Sequence, residues 1–403
     1  MSLAPAATRL SPAQRFDWLR LIRSENIGPR TFRALLNQCG GAAAALEALP
    51  ALARKGGRPI AIAGRDEIER EMATAERLGV AFVAMGEADY PVALRAIPDA
   101  PPLIAVRGRL EALRAPMAAI VGSRNASAVG LAMTERLARG LGQAGYVVVS
   151  GLARGVDARA HATSLDTGTI AVLAGGHRRI YPSEHEALAE RICERGALVS
   201  EMPLDWEARG RDFPRRNRIV SGLSLGVVIV EAARKSGSLI TARFAAEQGR
   251  EVLAVPGSPL DPRAEGPNDL IADGATMCRS VDDALRALEP LRERGGARAD
   301  DLFAESPAPA ATTPLWDELD AVVGGAPPEA SLDFEFDDAP RRPFEPRPAG
   351  VVLLELLGPA PIAVDELLRL ADLPAAQARA ALVELELAGR VLRHDGGLVS
   401  RLG

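Results

Sequence analysis

The stretches VGSR (121–124), VVVSGLARGVDARAH (147–161) and VVIVEAARKSGSLITA (227–242) decide the fold of this chain. In each, an apolar run ends at a turn of glycine, serine and charged residues, and a helical pattern follows. A helix N-terminus offers free backbone N–H groups and the positive end of the helix dipole, so turns of this kind can hold an anion. The pattern therefore predicts a polyphosphate ligand, either a nucleotide or a nucleic acid strand.

The region around these turns alternates Val, Ile, Leu and Ala runs with helical patterns, as right-handed βαβ units do. Apolar runs this continuous indicate a parallel sheet covered on both faces, which binds ligands beyond the C-terminal ends of its strands. Helices are predicted at 128–143 and 239–248. Strands are predicted at 117–121, 146–149, 169–173, 197–199, 225–230 and 251–255.

Composition sets the outer limits. A chain of 403 residues predicts two or three domains. Its 47% hydrophobic and 25% charged residues are typical of soluble globular proteins. No uncharged apolar run approaches a membrane span and the N-terminus lacks the apolar core of a signal peptide, so we expect a cytoplasmic protein without membrane contact. Cys39, Cys193 and Cys278 are far apart and lack a CxxC partner, which predicts neither disulfide nor metal site.

The net charge of −5 is unevenly distributed. Residues 299–340 contain eleven acidic residues and no Lys or Arg, and without them the chain has 48 basic against 42 acidic residues. The remainder is therefore mildly basic, as a nucleic-acid-binding protein can be. Because the acidic stretch is rich in Pro and Ala and has no helical period, we predict a disordered linker at 291–348. Within it, SLDFEFDDA (331–339) is either a docking peptide or a solubilising segment.

The linker separates a large N-terminal part from a small C-terminal domain. An N-terminal helical domain is predicted at 1–88. Residues 10–52 show helical periodicity, and ENIGPRTFRALLNQCGG (25–41) resembles the hairpin of a helix-hairpin-helix or sterile-alpha-motif-like bundle. Such a hairpin can hold DNA phosphates through its turn amides, or it can serve only for packing. Residues 89–290 form the predicted core.

Residues 349–403 have the order of a winged helix, with three helices followed by a short hairpin. The third helix, 375–388, carries Arg379 as its only basic residue beside Glu384 and Glu386. A major-groove reader needs more cations, so protein contact or weak, nonspecific DNA contact is the expectation for this domain.

The order of motifs resembles the DNA-processing protein A family, also called DprA or Smf. The motifs are GSR (122–124), SGLARGVDARAH (150–161), YP (181–182), SEMP (200–203), FPRRNRIVSGLS (213–224), the 227–242 stretch, VPG (255–257) and GPNDLIADGA (266–275). The resemblance implies a protein that binds and protects single-stranded DNA and hands it to the RecA recombinase during natural transformation. It also implies an extended Rossmann-like core and a homodimer formed through that core.

The resemblance further implies an anion pocket, and the residue types agree, because glycine permits close backbone approach while hydroxyl and guanidinium groups bind phosphate oxygens. The predicted DNA- and phosphate-binding residues are Gly122, Ser123, Arg124, Ser150, Gly151, Gly155, Phe213, Arg215, Arg216, Asn217, Arg218, Lys235, Ser236, Gly237 and Ser238.

The segment RGRDFPRRNR (209–218) sets five arginines against Asp212 and is interpreted as a DNA-contacting loop, the alternative being a solvated loop with internal salt bridges. Arg216 and Arg218 are each expected to neutralise a phosphate. Phe213 is the best candidate for base stacking, whereas Phe244 is expected in the core.

Other polar residues invite a catalytic interpretation, but each also has a structural one. Asp157 and His161 share a helix face and could form an acid/base pair, although an Asp at this place more often orders a helix start. Glu231 ends a predicted strand and could be a general base or could fix the loop carrying Lys235. His177 could contact a nucleotide or end a turn.

The core also suggests two alternatives to a DNA-binding protein, an enzyme and a dinucleotide-binding protein. The core is similar to LOG-type nucleoside-monophosphate phosphoribohydrolases, but their PGGxGTxxE signature is absent and EAARKSGSLITA (231–242) stands at that place. A dinucleotide-binding Rossmann site fails because GSRNASAVG (122–130) lacks the glycine spacing of GxGxxG. The sequence therefore predicts a protein without catalytic residues, metal or cofactor.

Overall fold

The structure is a computed structural model that describes residues 9–55, 60–297 and 347–402. The acidic stretch at 299–340, including the 331–339 segment, lies outside the described residues, and so does most of the predicted linker.

The N-terminal part is a helical bundle made of α1 (Pro12–Arg23), α2 (Pro29–Cys39), α3 (Ala42–Lys55) and α4 (Arg65–Leu78). Helix α1 begins with a capping box between Ser11 and Gln14, which satisfies amides that have no partner within the helix. Helices α1 and α2 are held together by an edge-to-face contact between Trp18 and Phe32, with ring centroids 5.1 Å apart. The predicted helical bundle is confirmed.

The core is built on a nine-stranded sheet with the order β1-β2-β6-β5-β4-β3-β7-β8-β9. Strands β1 and β2 pair antiparallel, β2 pairs antiparallel with β6, and the remaining pairs are parallel. Strand β1 lies before the boundary predicted at residue 89, yet it belongs to this sheet. The bounds are β1 Val80–Ala84, β2 Leu103–Gly108, β3 Met117–Val121, β4 Val147–Ser150, β5 Thr169–Val172, β6 Ala197–Ser200, β7 Gly226–Ile229, β8 Glu251–Ala254 and β9 Thr276–Met277.

Helices cover both faces of the sheet, as the continuous apolar strands require. Alternate residues of each strand enter different clusters: Val148 packs on one face and Val149 on the other, and both are fully buried. Each such side chain stabilises the fold by about 1.5–3 kcal/mol. The core helices are α5 Val92–Arg95, α6 Ala128–Gln143, α7 Val156–Ser164, α8 Glu186–Arg195, α9 Asp212–Leu223, α10 Gly237–Glu247, α11 Glu265–Ala272 and α12 Val281–Ala297.

The predicted doubly wound α/β core is confirmed, with strand and helix ends within one or two residues of their predicted places. One local prediction is wrong. The segment predicted as an arginine-rich loop is largely helix α9, which starts at Asp212 and carries Phe213, Arg216 and Arg218 on buried faces.

The C-terminal domain is the predicted winged helix, made of α13 (Ala349–Leu356), β10 (Ile362–Ala363), α14 (Val364–Ala371), α15 (Ala375–Leu387), β11 (Val391–His394) and β12 (Leu398–Arg401). It packs against the core through an ion pair of Arg369 with Glu135 at 2.8 Å. Arg263 of the core also donates to the backbone carbonyls of Glu355 and Leu357 at the end of α13. A cation at a helix C-terminus is favoured by the helix dipole.

The cysteines of the described residues are all free thiols; Cys278 is buried, while Cys39 and Cys193 are half-buried. None of the described helices combines the length and the apolar character that a membrane crossing needs.

Candidate anion and nucleic-acid site

The three predicted turns meet at one edge of the sheet because their strands β4, β3 and β7 are neighbours. The Ser238 hydroxyl donates to the Gly122 carbonyl at 2.8 Å, and the Val156 amide donates to the Ser123 carbonyl at 3.2 Å. Gly155 has a φ of +71°, and a Cβ at this position would stand 2.2 Å from the Ser123 carbonyl oxygen. The backbone contact between the first two turns therefore depends on this glycine.

The N-terminus of α6, behind the first turn, already holds a carboxylate of the protein. Glu231 accepts hydrogen bonds from the backbone amide of Ser127 at 2.8 Å and from the Ser127 hydroxyl at 2.5 Å. Gly130 leaves the room for it, since a Cβ there would lie 2.5 Å from the Glu231 carboxyl carbon. Burial raises the pKa of Glu231, while the Ser127 hydrogen bonds act in the opposite direction. The Glu231 carboxylate thus takes the donors of Ser127 that a bound anion could otherwise use.

The turn before α7 also has two of its amides bound by a carboxylate, here that of Asp157 in the first turn of α7 itself. Buried Asp157 accepts from the amides of Gly151 at 3.1 Å and Ala153 at 3.4 Å. Burial raises the pKa of Asp157, and the neighbouring charge of Arg216 opposes that rise. Two of the amides expected to face a phosphate therefore bind an internal carboxylate. The buried hydroxyl of Ser150 also points inward, donating to the Ile120 carbonyl at 2.6 Å.

The third turn, before α10, differs from the other two. Ser236 caps α10 by accepting from the Ser238 amide, and the first turn of α10 contains no acidic residue. The Asn217 side-chain amide donates to the Gly237 carbonyl at 3.1 Å and fixes this turn to α9. Exposed Lys235 stands immediately before the cap. Among the turns predicted to bind an anion, this is the one whose helix end is left open to a ligand anion.

Two guanidinium groups add positive charge near this edge. Arg216 is only 6% exposed and donates to the carbonyls of Gly151 and Val172. Its Nε has no hydrogen-bond partner among the described residues. Burial lowers the pKa of Arg216 to about 10; Asp157 opposes this, and the like charge of nearby Arg124 adds to it. The like charges of Arg216 and Arg124 favour the approach of an anion.

Arg218 does not take the role that the sequence predicted. It is 1% exposed, donates to the Asp99 carbonyl at 2.8 Å, and forms ion pairs with the carboxylates of Glu201 and Asp99. Arg215, which is 40% exposed at its side chain, lies 3.3 Å from Glu201 through its Nε. This geometry does not favour a phosphate contact for Arg218, because its charge is already balanced inside the protein. Glu201 was visible in the sequence only as part of SEMP.

The aromatic residues also differ from expectation. Phe213, predicted to stack on a base, is 7% exposed and packs edge-to-face on Tyr181 with centroids 5.3 Å apart. The Arg124 guanidinium lies 5.4 Å from the Phe213 ring centroid. Tyr181 is 39% exposed, so the accessible aromatic ring here belongs to Tyr181. The YP motif at 181–182 contains this ring, but the motif alone does not indicate that the ring is accessible. Phe244 is buried, as predicted.

The catalytic alternatives find little geometric support. The Nδ1 atom of His161 lies 2.7 Å from the Thr169 hydroxyl rather than against Asp157, and burial lowers the pKa of His161 to about 3. Asp157 orders the start of its helix. His177 is 4% exposed, and burial lowers its pKa to about 4. Both imidazoles are therefore neutral near pH 7.

Cavities of about 450 and 480 Å³ lie elsewhere, within the winged helix and between α6 and the start of α12. Neither of these two cavities is lined by the predicted binding residues. Within the described parts of the chain, no group of three or more His, Cys, Asp or Glu side chains is arranged to hold a metal ion.

Comparison with known proteins gives three family matches along the chain. Residues 81–289 match DNA recombination-mediator protein A, residues 12–74 match a DprA-like N-terminal HHH domain, and residues 337–397 match a DprA winged helix domain.

Individual relatives agree with these matches. The DNA processing protein DprA of Bacillus subtilis is 41% identical over 225 residues, which is 55% of this chain and 76% of the relative. Protein Smf of Escherichia coli is 43% identical over 228 residues, or 56% of this chain and 61% of Smf. The X-ray structure of DNA processing protein A from Streptococcus pneumoniae superposes with a TM-score of 0.57 and 29% identity. That superposition covers 70% of this chain and 99% of the pneumococcal chain. On these matches, the chain belongs to the DprA/Smf family of DNA-processing proteins.

Proposed function

We propose that this protein binds single-stranded DNA at the sheet edge where the three turns meet, with a backbone phosphate at the N-terminus of α10. The observation that carries the proposal is the contrast between the three helix ends. The Glu231 carboxylate binds the capping residue of α6, and the Asp157 carboxylate binds two amides of the turn before α7, whereas the turn before α10 carries Lys235 and is capped by the Ser236 hydroxyl. This helix end offers amide groups to a phosphate, and Arg124 and Arg216 supply a positive field.

The surroundings of this position suit a strand better than a free nucleotide. The predicted residues lie at an edge of the sheet, where a polymer can extend past the site at both ends. Half-exposed Tyr181 offers a ring on which a base can stack, and its contact with Phe213 holds it in place. In this proposal the phosphate position is shaped by Ser123, Ser236, Gly237 and Asn217. The edge beneath it is built from Gly122, Ser150, Gly151 and Gly155. Arg215 is an auxiliary cation, and Arg218 holds α9 in place.

The similarity to DNA-processing proteins supports a proposal about the cellular role of this protein. We propose that the protein acts in the cytoplasm, protects single-stranded DNA, and hands it to the RecA recombinase during transformation or recombination. We also propose a homodimer formed through the core. In this account the winged helix adds little affinity for DNA, because Arg379 is the one basic residue of helix α15.

The enzyme alternative, hydrolysis of nucleoside monophosphates, rests on the similarity of the core to LOG-type phosphoribohydrolases. Its best candidate base, Glu231, is held by two hydrogen bonds at the start of α6. We propose that Glu231 is structural and that the protein acts by binding.

Fluorescence anisotropy with labelled single- and double-stranded oligonucleotides, together with base release from AMP, separates the two classes. We expect single-strand binding that weakens steeply with salt, and AMP turnover no faster than in a protein-free control. Salt-independent or absent oligonucleotide binding would overturn the DNA proposal. AMP turnover that disappears in Glu231→Gln would establish the enzyme reading. RecA transfer is tested separately, by the rate of RecA filament formation on strand already coated by a single-strand-binding protein.

A further inference from the structure

The N-terminal bundle holds the β6–α9 connection (residues 201–211) through a buried ion pair. Arg23 of α1 and Glu71 of α4 form a two-pronged pair with N–O distances of 3.1 and 2.9 Å, and their side chains are 11% and 10% exposed. The Nη1 group of Arg23 donates to the Glu201 carbonyl at 2.9 Å, and the Glu71 carboxylate accepts from the Leu204 amide at 3.3 Å. The pair therefore binds backbone groups at two places in the connection.

Apolar packing strengthens this attachment. Leu204 is 1% exposed and belongs to the same hydrophobic cluster as Leu19 of α1 and Ile68 of α4. Burial of a leucine side chain contributes about 1.5–3 kcal/mol. A residue of the core thus packs inside the bundle, so the bundle and the β6–α9 connection are fixed to each other.

The β6–α9 connection in turn fixes the start of α9. Asp212, the first residue of α9, accepts a hydrogen bond from the Trp206 indole at 2.8 Å. The Glu201 carboxylate forms ion pairs with Arg215 and Arg218, which lie further along the helix. The position of α9 therefore depends on the segment that the bundle holds.

Helix α9 carries side chains that shape the proposed strand site. Arg216 donates to the Gly151 carbonyl in the second turn, and Asn217 donates to the Gly237 carbonyl at 3.1 Å in the third turn. A displacement of α9 therefore moves these two turns relative to each other and shifts the cations Arg215 and Arg216. Binding groups must be held within about 0.5 Å of their productive geometry, so such a displacement lowers affinity.

We propose that Arg23 and Glu71 are positioning residues for strand binding. Through them the N-terminal bundle holds the β6–α9 connection, and the connection keeps the arginines of α9 in place at the phosphate site. Both side chains are nearly buried, so they act through α9 rather than by contact with a strand. This inference rests on the proposed function and gives the N-terminal bundle a part in it.

Hydrogen exchange followed by mass spectrometry tests the attachment of the β6–α9 connection without any DNA. Glu71→Gln keeps the shape of the side chain but removes the charge that binds Arg23, and Glu69→Gln makes the same change at an exposed position of α4. We expect amides within residues 201–218 to exchange about fivefold faster or more in Glu71→Gln, and at the wild-type rate in Glu69→Gln. Unchanged exchange of this segment in Glu71→Gln overturns the proposal.

Oligonucleotide affinity tests the consequence for binding. Glu71→Gln removes a negative charge, which by long-range electrostatics alone would strengthen DNA binding. Positioning predicts the opposite sign, a loss of about fivefold or more, because α9 is less well held. Fluorescence anisotropy measures the affinity at a temperature where circular dichroism shows each variant folded. Equal affinities of Glu71→Gln and the control Glu69→Gln overturn the proposal.

Arg23→Lys is a second and milder variant. Lysine keeps the positive charge but lacks the planar fork with which Arg23 joins Glu71 to the Glu201 carbonyl. We expect a loss of affinity of about fivefold, whereas the control Arg70→Lys, at an exposed position of α4, keeps the wild-type affinity. Wild-type affinity in a folded Arg23→Lys variant would show that the charge alone suffices, and the positioning role would be wrong.

Failure of this inference is distinguishable from failure of the proposed function. If the wild type binds the oligonucleotide and the Glu71 and Arg23 variants match it, the strand site stands and the bundle has no part in it. If the wild type binds no oligonucleotide, the proposed function fails, and the positioning of a strand site fails with it.

Discussion

Replacing Arg218 with alanine should lower the free energy of unfolding more than almost any other arginine-to-alanine substitution in this protein. The guanidinium is 1% exposed and lies between two carboxylates, Glu201 and Asp99, whose side chains are 10% and 9% exposed. Removing it leaves both acids buried without their main counter-charge, which costs about 3–5 kcal/mol. With a urea dependence of about 2.5 kcal/mol per molar, the unfolding midpoint should fall by about 1.5 M.

Arg215→Ala is the matched control, because Arg215 contacts the same Glu201 from a side chain that is 40% exposed. Water screens that pair, so its loss should cost less than about 1 kcal/mol. Urea unfolding followed by circular dichroism measures both variants against the wild type. If Arg218→Ala and Arg215→Ala unfold within 1 kcal/mol of each other, the buried network does not hold α9 as described.

Three further outcomes are expected. Burial lowers the pKa of His161 to about 3 and of His177 to about 4, below the value of 6.5 for an unfolded histidine, so the unfolded chain binds more protons below pH 6.5. Stability should therefore be intact above pH 6.5 and fall by about 2 kcal/mol per histidine by pH 5, and His177→Gln should flatten the acid limb of a urea-midpoint profile. Arg369→Glu should free the winged helix from Glu135, which limited proteolysis would detect as faster release of a C-terminal fragment; an unchanged rate contradicts the docking role of this pair. Truncation after Glu289 should change single-strand affinity by less than about threefold, or about 0.7 kcal/mol, and a tenfold loss would make the winged helix a DNA-binding domain.

The sequence was sufficient for the architecture. Each strand of the parallel core is a short run of Val, Ile, Leu and Ala bounded by polar turns, and burial of both faces produces that signal locally. Helix α6 was predicted to the residue, since Ser127 caps its start and apolar residues follow at helical spacing. The winged-helix order was equally visible from its three helices and final hairpin.

The site was harder to predict because its charges are balanced by residues distant in sequence. Glu231 reaches Ser127 across 104 positions, and Arg218 reaches Asp99 across 119. A run of arginines looks unpaired when only Asp212 is nearby in the chain. Likewise, a glycine-rich turn before a helix looks like a phosphate site even when an internal carboxylate fills it. Tertiary contacts therefore determine which cationic side chains and which helix N-terminus are available to a ligand anion.

The most direct test of the central claim compares charge reversal just before helix α10 with charge reversal within it. Lys235→Glu changes the open N-terminus of α10, whereas Arg243→Glu changes an exposed side chain further along the same helix. Both variants alter the net charge equally, so nonspecific attraction weakens alike. The account predicts that Lys235→Glu weakens single-stranded oligonucleotide binding at least tenfold and lowers the salt slope by about one, while Arg243→Glu stays within threefold of wild type. Equal losses in the two variants would contradict a phosphate bound at the N-terminus of α10.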